Sequence, residues 1–270
     1  MKFIGYIQEL IKQGKCSFTL EHAQEILQKS RKAILASIGH LLEKKEVAHV
    51  TKSFYVIVPP EYQSLGCLPA EYFIPYLMKY LNLRYYACLL TAATYHGASH
   101  QAVQVFQVMV EKPRRTIVCG KIKINFIGNH KLIETPIRTI TNAKCVFNVS
   151  TPEGTSMDLV KYPDQSGGFS HVATVMAELC DAINPDKLLK LLNNKKLETT
   201  WKQRLGYLLE AVGEEELASL VKTYLEGQKR VDYVHMQFVS ASAEKNTRNN
   251  NYSKNNKWKI IENIKIESDL

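Results

Sequence analysis

KSRKAILASIGHLLEKKEV, residues 29–47, opens with three basic side chains in four positions and continues as an amphipathic helix. The start of a helix already carries partial positive charge, so cations there raise the energy unless an anion lies in front of them. Ser30 is placed to cap the helix, which runs to near Lys45. Ile34, Ile38, Leu41 and Leu42 form the expected buried stripe. With that stripe centred on Ile34, the wheel turns Lys32, Ala36, Gly39, His40 and Glu43 outward.

The flanking sequence supplies a compact setting. Phe3, Ile4, Ile7, Leu10 and Ile11 recur at helical spacing and predict a first helix that Gly14 ends. CSFT reads as a short extended segment. Thr19 then caps a helix LEHAQEILQ, whose apolar face is Leu20, Ala23, Ile26 and Leu27. After the third helix, VAHV and FYVIV flank the polar TKS as a hairpin would, and Pro59 and Pro60 close the module. Three helices followed by a hairpin is the order of a winged helix-turn-helix, expected over residues 1–58.

In such a module the second helix of the pair points its N-terminal end into the major groove, where phosphates and base edges supply the missing negative charge. Arg31 is the candidate for a direct base contact, because its planar fork can pair with guanine. Lys29 and Lys32, with Ser30 between them, are expected at phosphates. Small residues at Ala36 and Gly39, with His40 beside them, would let the helix approach the groove floor. Lys52 and Ser53 are expected at the backbone from the hairpin turn. The competing reading is a set of solvated cations around an ordinary helical bundle.

Bulk properties agree with a polyanionic partner without proving one. The 270-residue chain has 35 Lys and Arg against 26 Asp and Glu, a formal net charge of +9. Residues 1–60 hold nine basic and five acidic side chains, so the excess is moderately concentrated there. A hydrophobic content of 45% can build one large core or two ordinary ones. No run approaches the ~18 apolar residues of a membrane span. The opening MKFIGYIQELIKQGK puts a Glu and a Lys inside what would be a signal peptide's apolar stretch, so a cytoplasmic protein is expected. Cys16, Cys67, Cys88, Cys119, Cys145 and Cys180 include no CxxC pair, which points to reduced core thiols rather than a local zinc site.

From residue 59 the pattern changes. LPAEYFIPYLMKYLNLRYYACLLTAATYHGASHQ predicts at least two helices, the second broken at Gly97. QVFQVMV, RTIVCGKIKINFIG, KLIETPIRTIT and KCVFNVST read as strands of a mixed sheet. GFSHVATVMAELCDAI, DKLLKLLNN, WKQRLGYLLEAVG and EELASLVKTYLEGQ follow as amphipathic helices. The fold class is therefore α+β, with a larger mixed α/β domain over 59–270 that has a central sheet and C-terminal helices. An Asn-rich stretch at 241–257 is expected to be a mobile loop. WKIIENIKIE, 258–267, alternates as a strand that returns to the folded body.

Candidate chemistry is sparse. Glu153, Asp158 and Lys161 could suggest a metal-dependent nuclease, but the spaced acid pair is missing. The local reading puts Glu153 in a turn after Pro152 and lets Asp158 cap or pair nearby. His96 and His100 are expected to hydrogen-bond locally, and His171 to be a capping or half-buried residue. No phosphate-cradling glycine loop is present, and neither a cofactor nor a metal is expected. Arg204, inside an apolar helical stripe, is either paired with a carboxylate such as Asp158 or presented at a surface.

VSTPEGTSMDLVKYPDQSGGFSHVATVMAEL at 149–179 and WKQRLGYLLEAVG at 201–213 resemble the AbiEi family of antitoxins from type IV toxin–antitoxin systems. The most specific pieces are Ser150, Thr151, Pro152 and Glu153, then Asp158, Leu159, Tyr162, Gly167 and Gly168, and finally Gln203 to Tyr207. Residues 83–110 and WKIIENIKIE also look like members, so the likeness covers most of the chain. It implies a repressor that binds operator DNA through the N-terminal module and a C-terminal domain that counteracts a nucleotidyltransferase toxin, a direct complex with the toxin not being the usual route. It gives Asp158, Tyr162, Arg204 and Tyr207 as motif positions of unassigned role. A DNA-targeted nuclease-like enzyme and a ligand-responsive regulator are the alternatives from the residues themselves.

Overall fold

A computed structural model describes residues 2–98, 105–141, 145–237 and 252–266. The protein is mixed α and β, with helices and several sheets. It divides into two compact units: Met1–Ala87 with Val103–Leu132 and Thr139–Val149, and Cys88–Ala102 with Ile133–Arg138 and Ser150–Leu270.

The first unit begins with α1 (Phe3–Lys12), β1 (Ser17–Thr19), α2 (Leu20–Leu27), α3 (Arg31–Glu43), β2 (Val47–Thr51) and β3 (Phe54–Ile57). Gly14 follows α1 with φ +68°, a left-handed conformation that glycine adopts without steric cost. The Thr19 hydroxyl accepts from the His22 amide, and the Ser30 hydroxyl from the Ala33 amide, so both expected caps form. β3 lies between β1 and β2, antiparallel to both. Phe3, Tyr6, Leu10, Phe18, Leu20, Ile34, Ile38 and Tyr55 share one core.

The apolar face of α1 is rotated from the one the sequence suggested, and those of α2 and α3 are as expected but one residue narrower. α1 buries Phe3, Tyr6, Ile7 and Leu10, while Ile4 and Ile11 are exposed. Tyr6 takes the inward place because its ring packs on Phe3 and Phe18 while its hydroxyl reaches Nδ1 of His22 at 2.7 Å. Ile26 of α2 and Leu42 of α3 are likewise exposed, leaving Ile34, Ile38 and Leu41 as the buried stripe of α3.

The same unit continues through α4 (Ala70–Tyr80) and β4 (Tyr85–Ala87) to β5 (Val105–Val110), β6 (Arg114–Cys119) and β7 (Ile122–Gly128). With β8 (Ile137–Thr141) and β9 (Val146–Ser150) these make a six-stranded sheet in the order β6-β7-β5-β4-β9-β8. β5 runs parallel to β7, and β4 runs antiparallel to β5 but parallel to β9, which is the mixed sheet expected. β4 was hidden in the sequence inside a stretch that otherwise reads as helix.

The second unit is mainly helical: α5 (Leu89–Tyr95), α6 (Pro152–Lys161), α7 (Gly168–Leu179), α8 (Pro185–Leu192), α9 (Thr200–Ala211) and α10 (Glu215–Glu226). A small sheet of β10 (Val234–His235), β11 (Ser253–Asn255) and β12 (Ile260–Glu262) completes the description. α6 corrects the expectation of a turn at Glu153. Thr151 caps it through the Gly154 amide, and Pro152 occupies its first turn, where a missing N–H costs nothing. The helix was obscured because the run Glu153–Val160 is buried on all sides, polar residues included, so it has no amphipathic period to detect. Near the end, residues 241–251 of the expected mobile loop lie outside the described residues. Ser253–Asn255 of that stretch form a strand, and the returning segment is a strand only over Ile260–Glu262.

Candidate nucleic-acid interface

α3 presents its basic end to solvent. Lys29, Ser30, Arg31, Lys32, Ala36 and His40 are all exposed, while Ile34 and Ile38 hold the opposite face in the core. The first turn, Arg31-Lys32-Ala33-Ile34, holds no acidic residue. Its amides beyond the Ser30 cap and its exposed cations therefore share the N-terminal end of α3, an arrangement suited to an anion. Gly39, further along α3, has open space where a side chain would be. His40 lies 3.9 Å from Glu43 on the exposed surface.

The β2–β3 turn separates the two residues expected at its tip. Lys52 is exposed, and its carbonyl accepts from the Tyr80 hydroxyl at 2.6 Å. Tyr80 also packs on Phe54, with ring centroids 5.3 Å apart, so α4 steadies the turn that carries the lysine. Ser53 is only 7% exposed and sits at φ +58°, with its carbonyl accepting from the Leu20 amide. The turn uses Ser53 as a structural corner, which corrects its reading as a phosphate contact.

The motif positions of the second unit are interior. Asp158 of α6 is fully buried, and its charge helps raise the Tyr162 hydroxyl and the Cys88 thiol, both raised first by burial. The Glu153 carboxylate accepts from the Asn184 amide at 2.9 Å, while the Lys161 ammonium lies 3.4 Å from Glu198. Glu153 and Lys161 of the imagined nuclease cluster thus face different partners. Among the described residues no group of three His, Cys, Asp or Glu could hold a metal ion. His96 is hydrogen-bonded, but to partners distant in sequence rather than local ones: its Nε2 lies 2.7 Å from the Ser150 carbonyl and its Nδ1 2.9 Å from the Arg138 guanidinium. His100 lies outside the described residues, and His171 is half-buried.

α9 shows what WKQRLGY does. The Gln203 amide nitrogen donates to the carbonyls of Asp232, Trp258 and Lys259 at 2.9, 3.3 and 3.1 Å. Arg204 donates to the His235 carbonyl through Nε and Nη2 at 3.2 and 2.9 Å, so its partner is a backbone oxygen, not Asp158. The Tyr207 hydroxyl donates to Glu262 at 3.1 Å. Successive side chains of one helix thereby hold the segments carrying β10 and β12.

Residues 85–211 match the family model of the AbiEi antitoxin C-terminal domain. This stretch, just under half of the chain, is similar to the AbiEi antitoxin domain. Its presence supports an antitoxin role for the protein. No curated protein matches the sequence. Among solved structures, the chain is similar to the crystal structure of RV2827C protein from Mycobacterium tuberculosis, with a TM-score of 0.65 and 13% identity, covering 96% of this chain and 90% of that one. At that identity the likeness concerns the fold alone. A second structure, an antigenic nucleotidyltransferase-like protein from Paracoccidioides brasiliensis, aligns at a TM-score of 0.35 with 8% identity, covering 57% of this chain and 90% of that one.

Two features of the AbiEi-type domain escaped the sequence. Lys202 of α9 is buried, its ammonium donating to the Leu192 carbonyl at 2.6 Å and the Tyr224 hydroxyl at 2.8 Å, and lying 4.4 Å from the Tyr224 ring centroid. Nothing in a lysine's sequence neighbourhood announces such a seat, because its partners come from α8 and α10. Gly206 is the other: Trp258, fully buried, lies against it so closely that a Cβ there would meet ring carbon Cζ3 at 2.1 Å. A glycine in the middle of a good helix former was the available signal. Among the described residues no helix is long and apolar enough to cross a membrane.

Proposed function

We propose that this protein is the antitoxin of a type IV toxin–antitoxin system and represses its own operon. Residues 1–58 act as a winged helix-turn-helix that reads operator DNA, and 59–270 act as the domain that counteracts a nucleotidyltransferase toxin. The observation that carries the DNA-reading half is the solvent-facing cationic start of α3, where Lys29, Arg31 and Lys32 surround the capped helix end. Arg31 takes a base edge, Lys29, Lys32 and Lys52 take phosphates, and Ala36, Gly39 and His40 line the approach to the groove floor. Ser53 supports Lys52 from inside the turn. The AbiEi match over 85–211 supports the antitoxin half. Neutralisation need not involve a stable complex with the toxin, and the protein acts in the cytoplasm.

Footprinting upstream of the protein's own gene tests the first half. Protection that weakens steeply with salt is expected, since phosphate contacts release counterions. Absence of protection at low salt and ample concentration refutes it. Co-expression with an adjacent nucleotidyltransferase gene tests the second half: restored growth is expected, and unrelieved toxicity refutes it.

A further inference from the structure

Cys67 and Cys119 lie in facing stretches of the first unit. The Lys121 amide donates to the Leu65 carbonyl at 2.8 Å, and Gly66 lies against Gly120. The approach is so close that a Cβ on Gly120 would meet Gly66 Cα at 2.9 Å. Both glycines have positive φ, +68° and +57°. Continuing this antiparallel count by one residue sets Cys67 opposite Cys119, near enough that each thiol shifts the other's proton affinity. A disulfide spans Cα atoms about 4.4–6.8 Å apart, a reach suited to residues that face each other beside so close a backbone approach.

We propose that Cys67 and Cys119 form a thiol-oxidation site, closed to a reversible disulfide by peroxide, that fastens the connector after β3 to the end of β6. The chemistry balances within the pair. The Cys119 thiolate attacks one peroxide oxygen, the O–O bond breaks, hydroxide leaves and a sulfenic acid forms. Cys67 gives its proton to the departing oxygen, its sulfur attacks the Cys119 sulfur, the S–O bond breaks and water leaves. The hydroxide takes up the proton that Cys119 had released, so two thiols and one peroxide become one disulfide and two waters, with two electrons passing to the peroxide.

The surroundings single out this pair. The neighbouring Cys67 thiol holds the Cys119 thiol below its ordinary range, while burial pushes Cys16 up to about 11 and Cys180 up to about 12. Thiolate character governs attack on peroxide, so Cys119 leads. Both thiols are buried, Cys67 at 0% and Cys119 at 6% exposure, but β6 is an edge strand and Val118 beside Cys119 is exposed, so the interior is shallow there and only an oxidant as small as peroxide has a short route. The Cys119 thiol also lies 3.5 Å from the His49 carbonyl of β2, so oxidation removes a donor from the hairpin strand.

The test treats the full chain with hydrogen peroxide, alkylates it without reduction and maps the peptides. The expected result is a fall from six titratable thiols to four, a linked Cys67–Cys119 peptide and an upward shift in melting temperature, all reversed by dithiothreitol. Cys67→Ser should leave a sulfenic acid on Cys119 that dimedone traps, and Cys119→Ser should abolish the response. Cys67→Ala repeats the test should the serine disturb the interior. Linkage through other cysteines overturns the proposal, as does an unchanged thiol count at peroxide levels that oxidise free cysteine.

Discussion

Gly206→Ala sets two effects of known size against each other. Alanine in a helix interior is favoured over glycine by about 1 kcal/mol, so propensity alone makes the variant more stable. The added methyl, however, would lie 2.1, 2.5 and 2.7 Å from Cζ3, Cε3 and Cη2 of Trp258. Ordinary carbon contacts sit at about 3.5–4 Å, so the ring must withdraw by more than an ångström. It is held against doing so: the indole N–H donates to Glu210, the Trp258 amide donates to Asn255, and the Trp258 carbonyl accepts from Gln203. Overpacking of this kind costs about 1–3 kcal/mol or more, and the upper end applies where the neighbour is an immobile ring. We expect a net loss of about 1–2 kcal/mol, read as a lower urea midpoint by far-UV circular dichroism. Trp258→Ala should itself cost about 3–5 kcal/mol. Adding Gly206→Ala to it should then recover about 1 kcal/mol, since the obstruction is gone. A single Gly206→Ala variant as stable as the parent or more so would refute this account of how α9 seats the returning segment.

Gly39→Ala, where the added methyl meets nothing, should raise stability by about 1 kcal/mol while weakening operator binding in a gel-shift titration, because the methyl would stand on the face proposed to meet the groove. Arg31→Ala should cost about 1–3 kcal/mol of operator affinity and relax discrimination at one base pair, whereas Lys52→Ala should weaken all sequences alike and lower the salt slope by about 1. An unchanged operator affinity in Arg31→Ala would overturn the orientation of α3. Burial, and after it the Arg138 guanidinium, holds the His96 pKa below its ordinary 6.5, so the unfolded chain binds this proton more readily. Stability should therefore fall as pH drops from 6.5 through the lowered value, with no contribution above 6.5. His96→Asn should make the unfolding midpoint less sensitive over that window, and an equal sensitivity in both proteins would count against the assignment.

Local signals carried much of the fold. Thr19 and Ser30 cap their helices because a hydroxyl just before an apolar period has a nearby amide to satisfy, and both partners lie three residues away. Alternation marked β5, β6, β7 and β9, and Gly14 and Gly97 marked helix ends with positive φ. α6 failed to declare itself because a helix surrounded on every side has no solvent face to set a period. Exposure of the α3 cations followed from the wheel, since one buried stripe fixes the opposite side. The role of Ser53 did not, because its burial depends on how the turn packs against other elements, here the start of α2, whose Leu20 amide donates to the Ser53 carbonyl.

The sequence by itself determined the mixed α and β composition, the opening order from α1 to β3, the capped basic end of α3 and the likeness of residues 85–211 to the AbiEi domain, because each depends on neighbours within a few positions or on a linear motif. Only the tertiary structure decided where the long-range partners lie. Gln203 and Arg204 find backbone carbonyls 29 to 56 residues away, Gly206 receives the Trp258 ring, and Cys67 meets Cys119 across two glycines. Those pairings depend on how separate elements pack, and no local period or spacing encodes which distant atom will arrive at a given side chain.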